Sequence, residues 1–310
     1  MKEKYCDIGG QALIEGVMMR GKKTIAMSVR KTNGEIETKL DQTSQFFNHA
    51  LFKLPIIRGM VALINSMIIG VQALTYSAEF FAEADDGYEE SKFDLWVKKT
   101  FKDQADNVLI GFSMIMAFGM AIIMFAVIPS VIAGFLKVKI ANVMALALVE
   151  GLIKITLFVG YILLISRMKD IQRVFEYHGA EHKTIHCFES GEELTPENAQ
   201  KFSRIHPRCG TSFLLFVLAI SIGVFSFVTW SSIGMRIVLK ILLLPAIAGL
   251  AFELIKISGK YDNFLVKFIS QPGLWMQRIT TREPDLKQLE VAIASMEAVL
   301  VEEGVKACKF

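Results

Sequence analysis

Residues 107–136 read NVLIGFSMIMAFGMAIIMFAVIPSVIAGFL, with no Asp, Glu, Lys or Arg in the run. A spanning helix needs about 20 predominantly apolar residues, so this stretch can cross a bilayer with room for tilt. Pro129 lacks a backbone donor and predicts a kink near the far end. Working outward, three further stretches share the pattern. Ile140–Ser166 is apolar but interrupted by Glu150 and Lys154, Cys209–Met235 is uncharged, and Met235–Ile257 carries Lys240 near one end and Glu253 near the other. The links at Lys137–Lys139 and around Trp230–Arg236 are short, which predicts two helical hairpins. A chain of 310 residues that is 53% hydrophobic fits this reading better than an ordinary soluble domain.

Gly59 to Ala78 is also uncharged, but it contains Asn65, Ser66 and Gln72 and follows Arg58. Orientation helps to place it. The segment between the second and third spans carries Arg167, Lys169, Arg173, Lys183, Lys201, Arg204 and Arg208, and the tail is similarly basic. The opposite side has little beyond Lys137, Lys139 and Arg236. Basic residues gather on the cytosolic side. Four spans therefore put the N-terminal region, the 167–208 segment and the tail together in the cytosol. A spanning 59–78 segment would move the basic N-terminal region outside, so a surface or re-entrant helix is expected. No cleavable signal peptide is expected at Met1–Asp7, which is charged and not followed by an apolar core.

The fold class is therefore mainly α: a polytopic membrane protein with about four transmembrane helices, a small cytosolic N-terminal region containing a β-hairpin, and a helical cytosolic tail. The expected division is 1–106 (N-terminal region), 107–166 (first helical hairpin), 167–208 (His-rich loop), 209–257 (second hairpin) and 258–310 (tail). The β-hairpin rests on the alternation in Thr24–Arg30, the tight-turn pair Asn33-Gly34, and the alternation in Glu35–Leu40. Upstream, residues 9–21 hold four glycines, which suggests tight bending or close approach, with Glu15 and Arg20 as polar residues that could line a site. Asp85–Gly87 and Pro272-Gly273 are expected to break helices. Asp285–Val301 has an apolar stripe at helical spacing, started by Glu283-Pro284-Asp285.

The chemistry concentrates between Tyr177 and Phe213. Four of the five histidines and two of the four cysteines lie there. His178 and His182 are four apart, so on a helix they share a face and can bind one zinc-like ion. His178-Gly-Ala-Glu181-His182 also matches the inverted zincin pattern, in which the glutamate serves as general base. His206 and Cys209 flank a Pro-Arg pair just before a span and can turn toward one point. All four ligands together would make a closed, structural site, whereas three would leave a position open for catalysis. His186 and Cys187 remain in reserve. The competing reading is a solvated helix whose polar residues cap or pair. Glu150 and Lys154, four apart within a span, suggest an internal ion pair or a polar path. Glu253 suggests an interfacial charge paired with Lys256 or Arg167, or a further ligand. The net charge of +3 is too small to imply nucleic acid. The cysteines lack the spacing of a disulfide framework, so reduced thiols or ligands are expected.

Five stretches, 9–21, 58–63, 177–184, 206–213 and 280–285, together resemble the YqhQ-like bacterial membrane proteins, a family of unknown function. The resemblance covers nearly the whole chain. It implies a metal-dependent enzyme, with His178, His182, His206 and Cys209 as metal positions and Glu181 as base. The expectation is a divalent metal, zinc first, in a plasma-membrane hydrolase that acts at the cytosolic interface on a lipid or membrane-protein substrate, with the termini cytosolic and homo-oligomers open. The alternatives are a membrane scaffold with a structural metal and, third, an oligomeric transporter or channel built around Glu150.

Overall fold

A computed structural model describes residues 8–43, 54, 56–82, 91–140, 142–207, 209–227, 232–260 and 264–304. The expected break at Asp85–Gly87, the link at Trp230, and Cys6 and Cys308 lie outside these residues. The protein is mainly helical with one small antiparallel sheet. Among the described residues, four helices are long and apolar enough to cross a membrane, covering Ile57–Phe81, Val108–Leu136, Val143–Ile165 and Gly234–Lys256. Phe213–Phe227 is a shorter apolar helix. The segment expected at the surface thus qualifies by length, while the expected third span is described only in part.

The chain divides into two compact units: one of residues 1–82, 161–217 and 246–310, the other of 83–160 and 218–245. In the first, β1 (Gly9–Leu13), β2 (Gly16–Arg20), β3 (Thr24–Arg30) and β4 (Ile36–Gln42) form a meander in sequence order. The predicted hairpin is β3–β4, with Gly34 at φ 90° in its turn. The glycine-rich run is a second hairpin, β1–β2, that turns through Ile14-Glu15 with Glu15 at φ 48°.

Both faces of the sheet are covered, which is why β2 reads as a continuous apolar run rather than an alternating one. On one face Val17, Met19 and Ala26 join Tyr177, Ala180, Leu289 and Met296 in the core. Those partners come from α6 (Lys169–Glu189) and α11 (Leu286–Glu303). On the other face Leu13, Met18, Ile25 and Met27 pack with Ile69 and Ala73 of α1 (Ile57–Ala82). Ser77 Oγ of α1 accepts the Ile14 N–H at 3.3 Å. The opposite stripe of α1 leaves Ile64, Met67, Ile68 and Leu74 exposed. Each fully buried Leu or Met contributes about 1.5–3 kcal/mol.

The tail helix starts as read. Asp285 caps α11 through the Gln288 N–H at 2.7 Å, and Gln288 Oε1 accepts the Asp285 N–H at 2.9 Å. The break at Pro272-Gly273 does not occur: α10 (Phe264–Thr280) runs through Pro272. Proline forfeits one helical hydrogen bond, and burial of Met276, Gln277 and Thr280 beyond it holds the helix together.

In the second unit α2 (Lys92–Phe101) starts at a Ser91–Asp94 capping box. Then α3 (Ala105–Ile122) passes through a π-helical turn, Ile123–Val127, into α4 (Ile128–Leu136). The predicted proline distortion is this turn, just before Pro129. The unit also holds parts of α5 (Val143–Ile165), α8 (Gly210–Phe227) and α9 (Ile233–Lys260). Its outward side chains, among them Ile115, Met120, Phe135 and Leu152, are apolar and exposed.

Candidate metal centre

Helix α6 carries His178, His182 and His186 at four-residue spacing along one stripe. Gly179 sits within it because the chain must come close there: a Cβ would collide with the Arg282 carbonyl oxygen. The Arg282 N–H in turn donates to the Phe175 carbonyl at 2.8 Å, docking residues 280–284 onto α6.

The second arm is the 201–209 segment, which leads from α7 (Pro196–Gln200) to the start of α8. Buried Lys183 holds it against α6, donating to the Gln200 and Phe202 carbonyls at 2.8 Å each and pairing with Glu283 at 2.9 Å. Gln277 clamps His206 by both backbone groups: its Oε1 accepts the His206 N–H at 2.7 Å and its Nε2 donates to the His206 carbonyl at 2.8 Å. Arg204 bonds Thr281 Oγ1 at 2.8 Å and the Thr281 carbonyl. No local sequence signal marks Lys183 or Gln277, since their partners depend on how the 201–209 segment folds.

Three histidines are fixed by backbone carbonyls. His178 Nδ1 lies 2.9 Å from Thr280 O, His182 Nδ1 2.6 Å from Arg204 O, and His186 Nε2 3.1 Å from Ile205 O. A carbonyl only accepts, so each of these ring nitrogens is the protonated one. The other nitrogen keeps its lone pair, the arrangement that orients metal-ligating histidines. His178 Nε2 lies 3.2 Å from Cys209 Sγ, which also receives the Thr211 hydroxyl at 3.3 Å. Bonds of about 2.0 Å to nitrogen and 2.3 Å to sulfur put N and S about 3.5 Å apart in a tetrahedral zinc site. Donor atoms of His178, His182 and Cys209 all lie within 4.8 Å of one another.

His206, the fourth expected ligand, belongs to a neighbouring group with His186 and Glu189. Its ring centre is 5.6 Å from that of His182 and 4.5 Å from that of His186, and its Nε2 is 3.6 Å from Glu189. Burial, and then the adjacent His182, lower the His206 pKa to about 3, so the ring is neutral and the Glu189 contact is not an ion pair. Cys187 is an interior residue whose thiol burial pushes up to about 11. It packs with Tyr177 and Leu289 rather than serving as a ligand.

A cavity of about 660 Å³ opens beside the first group, lined by Gly10, Phe175, His178, Glu181, His182 and Cys209 among others. Glu181 is buried, and burial raises its carboxyl to about 6 while His178 and the Gly10 N–H, which it accepts, pull the other way. A Cβ at Gly10 would come 2.8 Å from Glu181 Cγ and 2.7 Å from the Met18 carbonyl. The glycine-rich run thus forms one wall of the cavity. Glu15 does not reach it: Arg173 binds its carboxylate at 2.5 and 2.7 Å, and the Tyr177 hydroxyl donates to it at 3.0 Å.

The other charged candidates lie elsewhere. Glu253 pairs with Arg58, at 2.6 and 3.1 Å, rather than with Lys256 or Arg167. That partner is 195 positions away in sequence, which local reasoning cannot find. Glu150 and Lys154 do approach, at 3.5 Å, but Glu150 is bound more closely by Arg236 and Lys240, and Lys240 also donates to Ser130 Oγ at 2.7 Å.

A family model described as a protein of unknown function (DUF1385) matches residues 54–302. The uncharacterized protein YqhQ of Bacillus subtilis (strain 168) is 33% identical over 296 residues, covering 94% of this chain and 92% of that protein. No solved structure matches. On these likenesses, spanning the sheet, α6, the 201–209 segment and the tail, the chain belongs to the DUF1385 family of YqhQ-like proteins.

Proposed function

We propose that this protein is a metal-dependent hydrolase of the plasma membrane, acting at the cytosolic interface on a lipid or membrane-protein substrate. The observation that carries the reading is the convergence of His178, His182 and Cys209, each with a donor atom within 4.8 Å of the others, beside a cavity that also receives Glu181. Three protein ligands leave a position open, the arrangement of a catalytic rather than a structural zinc site. A divalent ion there would supply Lewis acidity and lower the pKa of a coordinated water. Glu181, with a carboxyl near 6, is suited to take a proton from that water at neutral pH. Thr280 and Arg204 hold the two imidazoles in the ligating tautomer through their carbonyls. His206 buttresses the site rather than completing it.

The membrane placement draws on the basic residues near the span ends and on the two faces of α1. One stripe of α1 packs on the sheet and the opposite stripe is apolar and exposed, as expected of a helix lying in the membrane surface.

Elemental mass spectrometry of purified protein tests the site. Wild type and Glu181→Gln should carry near-stoichiometric metal, and His178→Ala/His182→Ala should carry none. Cleavage of lipid esters or membrane peptides should then appear in wild type and vanish in Glu181→Gln at unchanged metal content. Full turnover in that variant would sink the mechanism. Metal whose removal unfolds the protein, with no Glu181-dependent turnover, would put the scaffold reading first.

A further inference from the structure

The face of the sheet toward α1 holds a second cavity, of about 320 Å³, lined by Gly9, Gln11, Arg20, Gly21 and Ser66 among others. Its chemistry follows from strand register. Alternation along β2 sends Met18 into the core beneath α1, and Arg20, two positions on, emerges on the same face beside it. The residue paired with Arg20 on β1 is Gly9, where an added Cβ would meet nothing within 4 Å. On the other side Arg20 pairs with Ile25 of β3, so no polar or charged cross-strand side chain opposes the guanidinium. Among the described residues no hydrogen bond, ion pair or ring contact reaches it, although Arg20 is half-buried. Glu303, which lies against the adjacent Gly21, is already engaged by the Lys23 and Thr24 N–H groups at 2.7 and 3.2 Å. Burial without a counter-charge pulls the Arg20 pKa below its ordinary value. Gln11 projects onto the same face, with its amide against Gly70 of α1, and exposed Ser66 stands at the mouth.

A half-buried guanidinium with its fork unused suits an oxyanion, and its planar donors match phosphate two at a time. The volume lies at the low end for ligand pockets, the size of a headgroup rather than of a whole lipid. The helix that forms the mouth exposes Ile64, Met67 and Ile68 beside Ser66, an apolar rim of the kind acyl chains leave along. We propose that this cavity binds the phosphate of an anionic phospholipid headgroup, with Arg20 on the phosphate oxygens and Gln11 and Ser66 on the headgroup's other polar atoms. The inference is independent of the metal reading, since none of these side chains is a proposed metal ligand.

The test is binding by the full chain in non-ionic detergent, followed by native mass spectrometry. The probes are phosphatidylglycerol, phosphatidylcholine and inorganic phosphate. Wild type should retain phosphatidylglycerol over the other two. Arg20→Gln should weaken it by about tenfold or more, with Arg20→Lys between them. Ser66→Phe, which plugs the mouth without touching the charge, should weaken it as well. Metal content should be unchanged in all three variants, which separates failure here from failure of the hydrolase reading. Phosphatidylglycerol held equally by wild type, Arg20→Gln and Ser66→Phe would overturn the proposal. So would inorganic phosphate bound as tightly as the lipid, which would make this a free-phosphate site.

Discussion

The cavity beside α6 and the charge cluster around Glu150 are both buried polar sites in a largely apolar chain, yet they are built on opposite plans. Glu150 is 2% exposed and is met by Arg236, Lys240 and Lys154, while the ammonium groups of the two lysines each lie 5.6 Å from the Phe225 ring centre. Each of the three cations there contacts the Glu150 carboxylate. The His178–His182–Cys209 group instead satisfies one side of each ring with a backbone carbonyl and gathers its remaining donor atoms within 4.8 Å of one another beside a cavity. Buried charge that is consumed in pairing holds helices together, whereas buried polarity left half-satisfied is available for binding. This difference also bears on the transporter reading, which drew on Glu150 and Lys154: their burial has a sufficient explanation in packing.

The comparison can be broken most decisively at Glu150. Glu150→Gln leaves three cations facing a neutral amide and should cost about 3–5 kcal/mol, seen as a lower unfolding temperature in detergent. An unchanged transition would mean that the cluster is not a stabilising knot. Next comes Gln277→Leu, which strands the His206 N–H and carbonyl and should cost about 2 kcal/mol. It should also weaken metal binding, read by competition with a chelator, because the 201–209 segment loses its clamp. Asp285→Ala removes the cap of α11 and should cost about 1 kcal/mol without altering metal content. At the candidate site, in metal-free protein, His182→Ala should lower the unfolding temperature by less than Glu150→Gln, because a neutral ring and its contact with the Arg204 carbonyl are lost rather than a buried counter-charge. A drop as large as that of Glu150→Gln would erase the distinction. Alkylation followed by peptide mapping sharpens it further. Cys209 should react in metal-free protein and be protected by zinc, while Cys187, with its thiol near 11 and no exposure, should stay unlabelled in both.

What could be read from the residues follows the range of the interactions. The Asn33-Gly34 turn and the Asp285 cap act over a few positions and appear where expected, and the apolar runs at 107–136 and 140–166 form long helices. The His178/His182 pairing is likewise set by helical periodicity. The β1–β2 hairpin escaped notice because its turn is Ile14-Glu15, with a non-glycine residue at positive φ, and because strands covered on both faces do not alternate. The separation of His206 from His178, His182 and Cys209 depends on the path of the chain after α7, which Lys183 and Gln277 set from distant helices. Arg58 with Glu253, and Glu150 with Arg236, are likewise products of tertiary packing that no window of sequence contains.

One consequence follows from the way residues 280–284 lie along α6. His178 takes its tautomer from Thr280, Arg204 is held by Thr281, and Gly179 abuts Arg282, while Gly10 from the first strand bonds Glu181. The early and late parts of the chain therefore meet around its middle. During synthesis the histidines leave the ribosome long before the residues that orient them, so the final geometry of the group must wait until residues 280–284 have been made. A nascent chain stalled before residue 280 would carry the histidines and Cys209 but not their arrangement.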